Sequence, residues 1–153
     1  MAVASSASGS SAPPLPAAFV VDASVSAAWL LPNEATAATE AALHATATHT
    51  VWVPALWLLE MGNLLINAQR RKRITAIKRV ELAAAAAALR IKVDREIVKL
   101  PALDALAARH NLSAYDASYL ELALRLKLPL ATLDKSLLEA MTQAGVAAAL
   151  PQA

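Results

Sequence analysis

An α/β fold with a mainly parallel central sheet, covered by helices on both sides, is what this sequence predicts. Two observations carry that prediction. Short runs of apolar, β-favouring residues alternate along the chain with longer segments patterned as helices, the order that builds strand–helix–strand crossovers. The first and fourth of these runs each break off at an aspartate, Asp22 and Asp134, and right-handed crossovers bring such strand ends to one edge of a parallel sheet.

Taken in order, Phe19-Val20-Val21 reads as a buried strand halted by Asp22-Ala23-Ser24. Two roles are open to Asp22: N-cap of the next helix, or an acid placed for chemistry outside the carboxyl end of a strand. Ser24 to Leu31 is expected as a short helix closed by Pro32, with Ser24 as its cap or as an orienting group beside Asp22. A second helix is expected from Glu34 to about Thr48, and Val51-Trp52-Val53 as the next strand. Pro54 is suited to the first position of the helix that follows, Ala55 to Arg70.

That helix carries Glu60, the only Asp, Glu, Lys or Arg between Glu40 and Arg70. A carboxylate in so apolar a segment is costly to desolvate unless it is paired, hydrogen-bonded or metal-bound; otherwise it must face water. Asn63, three residues on, projects on the same side. Arg70-Arg71-Lys72-Arg73 either complements the helix C-terminus or offers a phosphate-contacting edge together with Lys78 and Arg79.

Ile74 to Leu89 is a further helix whose alanine run, Ala83 to Ala88, favours close helix packing, and Ile91-Lys92-Val93 alternates as a strand does. An irregular stretch from Arg95 precedes a helix over Pro101 to Arg109, with Asn111 as its stop. Ser113 can cap a helix running to Leu126, which places Asp116 at the third helical position in an arrangement that resembles a capping box. Leu128 to Thr132 returns to strand character and ends at Leu133-Asp134; on an extended chain Thr132 and Asp134 share a face. A helix from Lys135 to Ala144, stopped by Gly145, and a last strand over Val146 to Leu150 complete the pattern.

Composition narrows the chemistry. At 153 residues the chain is read as one domain, residues 18–153, behind a low-complexity Ala/Ser/Pro extension over residues 1–17 that is expected to be disordered. That extension lacks the basic start and apolar block of a secretory signal, and no apolar run spans a bilayer. The chain has no cysteine, which excludes disulfides and thiol catalysis and suits a reducing cytoplasm. A formal charge of +2 does not by itself imply nucleic-acid binding. Neither glycine-rich phosphate loops nor Gly-x-Ser-x-Gly occurs.

Four carboxylates then stand out: Asp22 and Asp134 closing strands, Asp116 opening a helix, Glu60 within a helix otherwise free of charge. Gathered in one cleft they repel and raise one another's pKa unless a cation compensates. Oxygen ligands without cysteine or clustered histidine point to Mg²⁺ or Mn²⁺. Such an ion activates water and neutralises charge developing on a phosphate, which is equipment for phosphodiester hydrolysis.

Val20-Val21-Asp22-Ala23-Ser24, Pro54-Ala55-Leu56-Trp57-Leu58-Leu59-Glu60-Met61-Gly62-Asn63, Leu112-Ser113-Ala114-Tyr115-Asp116-Ala117-Ser118-Tyr119-Leu120 and Leu130-Ala131-Thr132-Leu133-Asp134 resemble, in order, the motifs of PIN-domain ribonucleases, and among these the VapC toxins of toxin–antitoxin pairs. The resemblance runs from about Phe19 to Leu150. It implies an α/β/α sandwich and a Mg²⁺- or Mn²⁺-dependent endoribonuclease acting on structured RNA of the tRNA or rRNA class. It assigns Asp22, Glu60, Asp116 and Asp134 to the acidic cluster, with Asp22, Asp116 and Asp134 as metal ligands. Thr132 would support Asp134, and Asn63 would orient Glu60. A cytoplasmic homodimer, silenced by a VapB-like antitoxin laid across the active-site groove, is the expected context. Two other classes fit the residues less fully. A phosphatase with Asp22 as nucleophile wants a second acid where Ser24 stands. A catalytically silent PIN-like binding module has no need of all four acids.

Overall fold

The computed structural model describes residues 12–152. Most of the Ala/Ser/Pro extension, residues 1–11, lies outside the described part. Residues 12–17 have no regular structure, yet Leu15 packs against the core and the Ala17 carbonyl accepts from the Thr50 amide at 3.0 Å.

Four strands, β1 (Ala18–Val21), β2 (Thr50–Pro54), β3 (Ile91–Asp94) and β4 (Leu130–Ala131), form one sheet in the order β3-β2-β1-β4, every pair parallel. Consecutive residues of a strand face opposite sides of a sheet. Phe19, Val20 and Val21 are all fully buried, so helices cover both faces at β1, the state that long apolar strands require. The architecture is the expected α/β/α sandwich. The chain runs β1 to β2 to β3 toward one edge and then places β4 on the other side of β1. The switch point of the topology therefore lies between β1 and β4, where open parallel sheets hold their ligands.

Among the described residues seven helices connect and flank the strands: α1 (Ala23–Leu30), α2 (Ala37–Ala45), α3 (Leu56–Arg70), α4 (Ala76–Ala88), α5 (Leu100–His110), α6 (Ala114–Leu126) and α7 (Lys135–Ala144). Their ends follow local chemistry. Ser113 Oγ accepts from the Asp116 amide to open α6, and Asp134 Oδ1 accepts from the Leu137 amide to open α7. Asn111 and Gly145 close α5 and α7 in the left-handed region, as their side chains allow.

Four boundaries depart from expectation. α2 begins only after Thr36, which forms a capping box with Thr39 in place of the usual Glu or Gln. Pro54 does not open α3 but ends β2, opposite Asp94, where a missing N–H costs little. β4 is two residues long, and Val146–Leu150 is no strand. It makes a single bridge, Leu130 to Ala148, while Ala149 and Leu150 still bury themselves in the core. The alanines of α4 do not mediate close packing either: only Ala86 is buried, because α4 lies outside α3 rather than on the sheet.

Candidate active site

Asp22 follows directly on β1, and its amide donates to the Ala131 carbonyl at 3.1 Å. That ladder bond sets the next residue of the neighbouring strand, Thr132, against the Asp22 carboxylate. Thr132 Oγ1 donates to Asp22 Oδ2, while Ser24 Oγ (2.7 Å) and the Val25 amide (3.1 Å) donate to Oδ1. Asp22 is thus both the N-cap of α1 and a three-times hydrogen-bonded buried acid, so its two readings are a single arrangement. Ser24 is not the cap. Its hydroxyl accepts from the Leu133 amide at 2.9 Å and donates its O–H to Asp22, tying the loop after β4 to the acid.

Thr132 differs from expectation in a related way. It accepts the backbone amide of Asp134 at 3.0 Å but gives its hydroxyl to Asp22, not to the Asp134 side chain. The chain turns into α7 after β4, so the shared face of an extended strand does not exist there. Asp134 is exposed and spends Oδ1 on the α7 cap.

Glu60 reaches the same region from α3. One turn before it, Trp57 is buried and its indole N–H donates to Ser26 Oγ at 2.9 Å; Ser26 Oγ donates in turn to the Asp22 carbonyl at 2.8 Å. This chain of bonds sets the first turns of α3 against the start of α1. Glu60 Oε1 and the Tyr119 hydroxyl are buried beside one another, near enough for the phenol to favour the Glu60 carboxylate but outside hydrogen-bond geometry, so neither has a partner among the described residues. Asn63 shares a pocket of about 350 Å³ with Glu60, Asp116, Tyr115, Ser113, Met61, Leu64 and Ala23. It is exposed and makes no hydrogen bond to Glu60 among the described residues, so it does not orient that acid.

The acids act on one another. Burial raises the pKa of the Asp22 carboxyl above its ordinary value and Asp116 pushes the same way, against the lowering influence of Thr132, Ser24 and the Val25 amide. Burial also raises Glu60, with Asp116 and Asp22 adding to it and Tyr119 opposing. Asp116 is raised by burial and by Asp134, with Ser113 opposing. The Tyr119 phenol, buried among Glu60, Asp22 and Asp116, is pushed further above its already high value and stays protonated. Sequence reasoning missed Tyr119. The available signal was its spacing: three residues beyond Asp116 on one helix, it shares that residue's face.

The arrangement concentrates negative charge that the protein itself does not neutralise. Among the described residues none of Asp22, Glu60, Asp116 and Asp134 takes part in an ion pair, while Arg73 pairs with Glu34 at 2.7 Å and Arg125 binds Asp94, Glu96 and Glu121. Among the described residues no group of three or more His, Cys, Asp or Glu side chains is placed to hold a metal ion, so the expected set of Asp22, Asp116 and Asp134 is not assembled as a three-carboxylate site. A divalent ion of the Mg²⁺ kind does not require one, since it keeps several waters and takes one or two carboxylates. The orphaned, buried Glu60 Oε1 and the hard oxygen donors of Asp22 and Asp116 fit such an ion. Side chains and topology together define the class: a parallel α/β protein with a group of acidic residues at its switch point.

A family model described as PIN domain matches residues 19–141, and the chain belongs to the PIN-domain family. That membership supports nuclease activity of the metal-dependent kind. Among solved structures it is similar to the crystal structure of PAE2754 from Pyrobaculum aerophilum, with 26% identity, a TM-score of 0.60 and coverage of 83% of this chain and 82% of that one. No curated protein matches it significantly. No helix among the described residues is long and apolar enough to cross a membrane.

Proposed function

We propose that the protein is a Mg²⁺- or Mn²⁺-dependent endoribonuclease acting on structured RNA as the toxin of a toxin–antitoxin pair. The observation that carries the nuclease reading is a pocket lined by Glu60 and Asp116 in which Glu60 Oε1 is buried without a partner, with Asp22 buried close enough that its charge and that of Asp116 both raise Glu60. Asp22 and Asp116 would hold the ion, with Asp134 assisting through water. When bound, the ion supplies Lewis-acid stabilisation of the phosphate and a more acidic water. Ser24, Thr132 and the Val25 amide orient the Asp22 carboxylate and oppose the effect of its burial, and Glu60 offers its free oxygen as a proton acceptor. Leu64 also lines a second pocket of about 200 Å³ that holds Asn67 and Arg71, where Arg71 is a cation suited to a flanking phosphate.

The toxin role follows the order of the motifs. A cognate antitoxin peptide across the groove and a homodimer complete the proposal, and the exposed Ile77 and Val80 of α4 support self-association. The test is Asp22→Asn and Asp116→Asn. Each is expected to cut Mn²⁺-dependent RNA cleavage at least ~100-fold and to abolish growth arrest on expression. Wild-type cleavage by both variants would refute the nuclease.

A further inference from the structure

The protein has six aromatic residues: three Trp, two Tyr and one Phe. Five are occupied in the fold. Phe19, Trp57 and Tyr119 are buried, Trp29 donates its indole N–H to the Thr39 carbonyl at 2.8 Å, and Trp52 lies beneath the Lys92 ammonium at 5.4 Å. The sixth, Tyr115, is 64% exposed and makes no side-chain hydrogen bond among the described residues. It lines the acid pocket, one residue before Asp116 and across from Glu60, Met61 and Leu64.

We infer that Tyr115 is a stacking platform for a nucleobase, forming a base subsite at the mouth of the acid pocket. This rests on the ribonuclease reading and names the state of the RNA that the site accepts. The pocket wall formed by Tyr115, Met61 and Leu64 carries no charge, so it suits a flat, uncharged ring with polar edges rather than a phosphate. An aromatic face flanked by Met61 and Leu64 offers that ring a surface to stack on. The platform is rigid. Tyr115 sits in the first turn of α6, which Ser113 caps and whose Ala117, Tyr119 and Leu120 are buried. Stacking on a side chain requires a base already splayed from its neighbours, so the nucleotide comes from a loop, bulge or single strand, not from continuous duplex.

The experiment is steady-state cleavage of a single-stranded RNA oligonucleotide with Mn²⁺ by wild type, Tyr115→Leu and Tyr115→Trp. Leucine retains apolar bulk and helix propensity but has no π-face; tryptophan retains the face. Tyr115→Leu is expected to raise KM about 10-fold or more, with the loss falling on KM rather than kcat and with unchanged Mn²⁺ affinity by calorimetry. Tyr115→Trp should restore a KM close to wild type. An unchanged KM in Tyr115→Leu overturns the subsite, even where the substitution weakens a protein partner. An equal rise in both variants overturns it too. If the wild type cleaves no RNA, the ribonuclease reading fails on its own. The subsite is then judged by fluorescence anisotropy of the same labelled oligonucleotide: it stands if leucine weakens binding and tryptophan does not, and falls if all three bind alike.

Discussion

Replacing Thr132 by valine removes one hydroxyl and keeps the β-branched shape. Asp22 Oδ2 loses its hydrogen-bond donor, while Oδ1 keeps Ser24 and Val25. The Asp134 amide loses its acceptor as well, but Asp134 is exposed and water replaces that bond. The cost is therefore that of one hydrogen bond to a buried charge, about 1.5–3 kcal/mol. For a chain of this size that corresponds to a fall in Tm of about 3–12 °C. The pH dependence identifies the cause. The folded-state pKa of Asp22 is raised, so the full penalty appears only once pH exceeds that value and the carboxylate is charged. As pH falls below it, Asp22 is neutral in both proteins and the gap narrows toward that of a neutral hydrogen bond, about 0.5–1.5 kcal/mol. Thermal unfolding of metal-free wild type, Thr132→Val and Thr132→Ser across pH 5 to 8 reads this directly. Serine is expected to recover most of the loss. A gap of constant size at every pH, or one that serine fails to close, would refute the assignment of the Thr132 hydroxyl to the Asp22 charge.

Two other outcomes follow from the same site. Asp22, Glu60 and Asp116 all have pKa values raised on folding, so their contribution to stability is fully present below their unfolded values and is lost as pH rises through the folded ones. In EDTA, Tm should decline from pH 5 to 8, and excess Mn²⁺ should flatten that decline; a metal-free protein with no slope would contradict it. Trp57→Phe removes the indole donor to Ser26, costing about 1 kcal/mol in urea unfolding and lowering kcat by loosening Glu60 one turn on. A variant as stable and active as wild type would show that bond to be idle.

Much of this could be read before any coordinates. Helices α5, α6 and α7 carry their own punctuation in Asn111, Ser113 and Gly145, and local chemistry decided their ends. Asp22 and Glu60 were conspicuous because each interrupts apolar surroundings, where charge needs a reason, and Asp116 because it opens a helix behind Ser113 within a recognisable motif. What stayed hidden depended on distant partners. The length of β4 was set by its pairing with β1, which reaches only Leu130 and Ala131, and the loyalty of Thr132 to Asp22 by a ladder bond across 109 positions of sequence, as the Leu133–Ser24 contact also shows. Tyr119 was obscured for the opposite reason: a buried tyrosine looks like ordinary core until its hydroxyl proves to have no partner.

The double duty of Asp22 constrains how this protein can fall silent. An asparagine there keeps a side-chain oxygen for the Val25 amide and the volume of the original, so the first helix can still start in place while the charge disappears. Alanine or a bulkier residue discards helix start, serine and threonine bonds together. Inactivation without collapse thus has one narrow route at this position, and an inert, well-folded form for trapping bound RNA lies a single amide away.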